Sequence, residues 1–308
     1  MKKDQLDINL EDLLGLDQKA LDYISAQQNA LPLADFLGLS PTELHELLYS
    51  PLDNLSSIII LNSTFNTELL ENVPLILKGM VIIKMLSEAG EVKATQNGFL
   101  PKKIVNAVYN TAPDPFFHHE FEVPSEERFP SILALRYNLV DCGWVKLRNR
   151  KFSLTKTGSK LAEKGFSSED YVKLLVHRLM KHNWAFEAGN PEILFIQTSA
   201  LFLLFILFQQ GNQLFNLQDL TRIYLRAFPS VLEDIPDEFV YTRTKEEFLE
   251  LILKYRFIRH LAHNCGLIEF LLDDSLPPYE REEAAKYRTT ELFKQVVKFS
   301  PRNQAPFQ

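Results

Sequence analysis

SILALRYNLVDCGWVKLRNRKFSLTKTGSKLAEKG, residues 131–165, is the stretch from which the fold is read. The apolar residues before Gly143 predict a helix that stops there, because glycine accepts the left-handed backbone of a helix C-terminus without steric cost. Trp144–Leu147 and Lys151–Leu154 predict two short strands around a basic turn. A capped helix is expected to begin at Thr155 or Thr157. Helix, hairpin and helix therefore follow one another without a linker.

The same order returns about one domain later, over Phe257–Phe299. Cys265-Gly266-Leu267-Ile268 repeats Cys142-Gly143-Trp144-Val145, and Tyr287-Arg288-Thr289-Thr290 leads into a last helix, Glu291–Phe299. The elements upstream also correspond. Val73–Ala89 predicts an apolar helix ended by Gly90, Glu91–Thr95 a short strand, Asn97-Gly98 a turn and Leu100–Tyr109 a second helix, before Pro130 opens the third. In the later half Pro191 opens an apolar helix that ends before Gly211. Asn216 caps a helix closed by Pro229, and Thr244–Asn264 is expected as one long helix with a Thr cap. A match in order and approximate spacing of every element points to internal duplication.

Ahead of both copies, Asp4–Ala20 has an imperfect amphipathic pattern. Ser40, Pro41 and Glu43 form a capping box that predicts a helix over Pro41–Leu48. Ser167 or Ser168 caps a helix over Ser167–Trp184 that is expected to join the copies. The organisation expected is an N-terminal helical segment (1–70), a first unit (71–165) and a second unit (166–308).

Composition bounds the class. A chain of 308 residues with 46% hydrophobic and 24% charged residues is globular and long enough for two cores. Its 23 phenylalanines suggest cores filled by rings. The net charge of −7 argues against a protein that coats nucleic acid, and leaves room for a local basic patch. Cys142 and Cys265 occupy equivalent places in separate copies, so two buried thiols are expected, which fits a reducing cytoplasm. MKKDQLDINLEDLL has no apolar run behind its lysines and does not read as a signal peptide. Ile193–Phe208 is shorter than the ~20 residues of a membrane span and carries Gln197, Thr198 and Ser199. A helix buried on all sides is expected there, with no membrane partner.

Arg150–Leu161, RKFSLTKTGSKL, resembles the strand-to-helix ending of bacterial winged-helix proteins, with Leu154, Thr155, Gly158 and Leu161 as the matching residues. The whole chain also resembles a group of bacterial proteins of unknown activity, through Gln96–Val105 and Tyr287–Phe293. The fold expected is mainly α with short β-hairpins: two winged-helix-like units preceded by the N-terminal helical segment. The winged-helix resemblance implies DNA binding as the commonest use of such units and protein docking as the second. The other group brings no activity with it.

The basic turn is the main functional candidate. Lys146, Arg148, Arg150, Lys151, Lys156, Lys160 and Lys164 face a single acid, Glu163, between Val145 and Lys164. Strand alternation places Lys146, Arg148 and Arg150 together, with Asn149 at the tip. Lys146, Arg148, Asn149, Arg150, Lys151 and Lys156 are thus the candidate contacts to double-stranded DNA, with salt-dependent affinity. A merely solvated hairpin, or a scaffold whose partner is another protein, remains the alternative.

The third helices offer less. Phe129–Asp141 presents Arg136 and Asn138, whereas Thr244–Asn264 presents Lys254, Arg256, Arg259, His260 and His263. The second hairpin is acidic (Asp273, Asp274, Glu280, Glu282, Glu283) and would repel DNA, so any contact should be led by the first. His118-His119-Glu120 alternate faces on a strand. His260 and His263 lie one helical turn apart near Cys265, but no further ligands complete a tetrahedral set. No metal or cofactor is expected. The chain has no glycine-rich phosphate loop, no Gly-x-Ser-x-Gly, no His-Glu-x-x-His and no Cys-x-x-Cys, so no catalytic residue is assigned.

Overall fold

A computed structural model describes residues 18–49, 52, 58–112, 125–188, 193–240 and 243–301. His118-His119-Glu120, Pro191 and all of Asp4–Ala20 before residue 18 lie outside the described residues. The molecule is mainly helical, with short antiparallel strands in small sheets.

Residues 71–165, expected as the first copy, contain helix α3 (Pro74–Ala89), strand β2 (Glu91–Lys93), helices α4 (Lys102–Tyr109) and α5 (Pro130–Asp141), and the hairpin β3 (Val145–Arg148) and β4 (Lys151–Leu154). Helix α6 (Lys156–Lys164) completes it. The strands form one antiparallel sheet in the order β2-β4-β3. In residues 166–308, expected as the second copy, helix α10 (Ala200–Gln210) is followed by Phe215, which bridges Tyr287. Next come helix α11 (Leu217–Ala227), helix α12 (Lys245–Ile252) with its extension Leu253–His263, and the pair β5 (Ile268–Leu271) and β6 (Lys286–Thr289). The order Phe215-β6-β5 repeats β2-β4-β3.

The two Cys-Gly corners are closed by the same hydrogen bonds. The N–H of Gly143 donates to Val140 O at 2.9 Å and that of Trp144 to Leu139 O at 3.0 Å. Gly266 donates to His263 O at 2.8 Å and Leu267 to Ala262 O at 2.7 Å. Both are the paired bonds of a Schellman C-cap, and both glycines have positive φ, +77° and +71°. A threonine hydroxyl then locks each corner: Thr155 Oγ1 donates to Gly143 O at 2.7 Å, Thr290 Oγ1 to Gly266 O at 2.6 Å. Each threonine also caps the helix that follows, α6 or α14 (Glu291–Val296), by accepting the N–H three residues on.

Helix α7 (Ser168–Met180) starts at a Ser167–Asp170 capping box and touches both corners. Tyr171 Oη donates to Cys265 O at 2.6 Å, and Lys173 Nζ donates to Cys142 O at 2.7 Å. The two cysteines are buried free thiols, and burial pushes that of Cys142 up to about 12.

Several expectations shift in detail. The apolar helix is divided at Ser199 into α9 (Leu194–Thr198) and α10; the Ser199 hydroxyl donates to Phe195 O (2.8 Å) and pairs with Tyr224 Oη (2.7 Å). Ala200–Leu207 is buried all round, and no helix among the described residues is long and apolar enough to cross a membrane. The long helix after Thr244 is α-helical only to Ile252; Leu253–His263 is wound as a π-helix. That winding aligns residues five apart, so Lys254 and Arg259 meet one carboxylate, Glu282, at 2.8 and 3.3 Å. The last helix stops at Val296, and Val297–Phe299 is strand β7, paired with β1 (Ile59–Leu61). Helix α2 (Pro41–Tyr49) packs on α10, and Arg226 pairs with Asp35 at 3.1 Å, which ties the N-terminal segment to the second copy.

Candidate nucleic-acid interface

Side chains on paired strands share a face when their Cα atoms are partners. The register Arg148↔Lys151↔Lys93 sets three cations in one row across the sheet, and Lys146↔Ser153↔Glu91 sets the next row on the same face. With strands ≈ 4.7–4.9 Å apart the cationic row spans about 10 Å of backbone. Val92, Leu147 and Phe152 form the opposite face; Phe152 has 0% exposure and packs into the core. Lys93, Lys146, Arg148 and Lys151 are all exposed. Lys93 was not visible as a candidate from sequence, because its strand is brought to the hairpin only by tertiary pairing.

The one acid on this face is Glu91, to which Lys151 Nζ donates at 2.7 Å. That hydrogen bond, with the charges of Lys151 and Lys146, holds the Glu91 carboxyl below its ordinary value. Four cations against one carboxylate leave the face positive.

Asn149 and Arg150 have φ of +51° and +58°, the signs a type I′ hairpin turn requires at both central residues. Asparagine suits that backbone; arginine does not, and its side chain has another use. The Arg150 guanidinium donates to Thr95 O at 3.2 Å and to Gln96 O, clamping the loop after β2. Arg150 therefore supports the sheet, and Lys151 takes the place beside Lys146 and Arg148 that alternation had given to it. Lys156 is exposed at the start of α6, with Lys160 and Lys164 exposed at the following turns of the same helix.

The third helix of this unit is closed. Ile132, Leu133, Ala134, Leu135, Arg136, Asn138 and Leu139 of α5 are all buried. Arg136 Nε donates to Glu126 Oε1 at 2.6 Å inside the protein, and Asn138 Oδ1 lies 2.8 Å from His177 Nδ1. Burial raises the Glu126 carboxyl even though the Leu100 N–H and Arg136 oppose it. Tyr137, 44% exposed, is edged by Phe186 of the short helix α8 (Ala185–Ala188), with centroids 6.2 Å apart.

The second copy presents the opposite charge. Arg256 and Arg259 are buried, the His260 carbonyl accepts from Arg178 at 2.7 Å, and the His263 ring lies 4.2 Å from Phe270. His260, His263 and Cys265 are not placed together as ligands for a metal ion. Between α11, α12 and β6 runs a cleft of about 600 Å³ lined by Glu247, Glu250, Glu282 and Glu283 against Arg243 and Lys254. Burial raises the Glu250 carboxyl there despite Lys254. Among the described residues no group of three or more His, Cys, Asp and Glu side chains is placed to hold a metal ion. Comparison of the chain with protein-family models, with curated proteins and with solved structures finds no match.

Proposed function

We propose that the chain is a bacterial, cytoplasmic tandem winged-helix protein whose first unit docks on double-stranded DNA through its wing, the β3–β4 hairpin. The order helix, strand, helix, helix, hairpin in both copies, with β2 and Phe215 in equivalent places, supports the winged-helix reading. The observation that carries the function is the row Lys93–Lys151–Arg148 with Lys146 beside it, exposed on one face of a three-stranded sheet. Such a face neutralises phosphates and releases counterions, which makes affinity fall with salt at a slope of about −0.9 per phosphate. Three to four contacts predict a slope of about −3 to −4 and a dissociation constant in the range ~10⁻⁴ to 10⁻⁶ M.

The test is fluorescence anisotropy on a duplex of about two helical turns, titrated between about 50 and 200 mM salt. Lys146→Ala with Arg148→Ala should weaken binding and flatten the slope by about 2. No binding at the lowest salt, or an unchanged slope in the double variant, would sink the proposal. A second reading, a protein-interaction scaffold without nucleic-acid or catalytic activity, draws on a different observation. The third helix of each unit is largely buried and serves as a packing element.

A further inference from the structure

We infer that the first wing grips duplex DNA without regard to base sequence and in preference to single strands. This rests on the proposed docking of that wing on DNA. Base sequence is read by side chains that reach base edges, usually from a helix laid in the major groove. Helix α5 cannot be so laid. Most of its side chains are buried, Arg136 is held at 2.6 Å by Glu126, and Asn138 is held by His177, which leaves Tyr137 as its main exposed side chain. The turn leaves one exposed polar side chain, Asn149, and that lies on a tight turn and not on a helix; Arg150 is committed to the carbonyls of Thr95 and Gln96. In the second unit Lys254 and Arg259 are committed to Glu282, and Glu247 and Glu250 line the open cleft, so a polyanion is repelled there.

Single strands are bound chiefly by stacking bases on aromatic rings. The outward face of β2-β4-β3 carries Lys93, Lys151, Arg148, Lys146, Ser153 and Glu91, and no ring. Its one aromatic residue, Phe152, faces inward and is fully buried. What remains is an exposed row of cations, of which Lys151 also donates to Glu91, facing the dense phosphate charge of a duplex. Lys93 is a further contact of this row, contributed from outside the hairpin.

The experiment compares full-length protein on a panel of unrelated duplexes and on single strands of the same length at one low salt concentration. Duplex dissociation constants should agree within about threefold, since each misread base pair of a specific site changes affinity roughly five- to a hundredfold. Single strands should bind more weakly than any duplex. Lys93→Ala should weaken all duplexes by the same factor and flatten the salt slope by about 1. Selection from a random pool that yields a duplex bound more than about tenfold tighter than the panel would overturn the inference and leave the docking proposal standing. Preferred binding of single strands would overturn it as well. An absence of all binding at low salt would remove both.

Discussion

Gly158 shows what a single absent side chain can decide. It is the third residue of α6, and a Cβ there would fall on the backbone carbonyl of Trp144. That oxygen is already the acceptor for Thr155 N–H at 3.0 Å, and the Thr155 hydroxyl caps α6 and holds Gly143 O. The obstacle is backbone, so it cannot rotate away, and relief would break the corner lock. Gly158→Ala should destabilise the protein by about 3 kcal/mol, at the upper end of overpacking costs. A urea midpoint within error of wild type would show that the corner has slack. In the second copy the equivalent position is Phe293, whose N–H still donates to Thr290 Oγ1 at 3.1 Å. The cap is thus common to both corners, while the close approach belongs to the first. Gly158 was noticeable in the sequence through the winged-helix resemblance, but its reason lies in a residue two strands back.

At the scale of elements, what was legible in the sequence was local. Caps at Ser40, Asn216 and Thr244, and at Thr155 and Ser167 where the sequence left a neighbouring residue open, act within three residues, so spacing announces them, whereas Thr290 read only as the end of a strand. The Cys-Gly corners were legible for the same reason. What escaped was tertiary. Strand β7 looked like the end of a helix, because its partner β1 lies at the other end of the chain. Helix α5 looked like a surface that could offer Arg136, because its partner Glu126 sits in the preceding loop. At 0% and 4% exposure this is a buried ion pair, with the Leu100 N–H donating to the same carboxylate. Removing one partner of such a pair strands the other charge, which costs about 3–5 kcal/mol. Glu126→Ala should therefore lower the unfolding free energy by that amount, read from a urea titration. Arg136→Met, which keeps the volume but leaves Glu126 without its cation, should also destabilise; if both variants unfold like wild type, the pair does not hold α5 in place.

For the whole molecule the decisive contact is the seam made by α7. One face reaches the second copy through Tyr171 at Cys265 O; the other reaches the first through Lys173 at Cys142 O and through His177. His177 Nδ1 lies 2.8 Å from Asn138 Oδ1, and its Nε2 lies 3.3 Å from Asp141 Oδ2. Burial is the largest influence on this imidazole and lowers it below the ordinary 6.5; Asp141 opposes the shift, and His182 and Lys181 reinforce it. A histidine depressed in the folded state binds a proton more readily once unfolded. Stability then falls as pH drops through the unfolded value near 6.5, and the loss levels off below the folded value. Above about pH 7 both states are neutral and the group adds no pH dependence. The predicted behaviour is a urea midpoint that declines between pH 7 and 5, with the decline reduced in His177→Gln, which keeps a polar side chain for Asn138. Because α7 is bonded to both corners, near-ultraviolet circular dichroism, dominated by Trp144 and Trp184, should lose its signal in the same transition as the far-ultraviolet signal. A pH profile unchanged by His177→Gln would place the acid sensitivity elsewhere, and two separated transitions would show that the copies unfold independently of the seam.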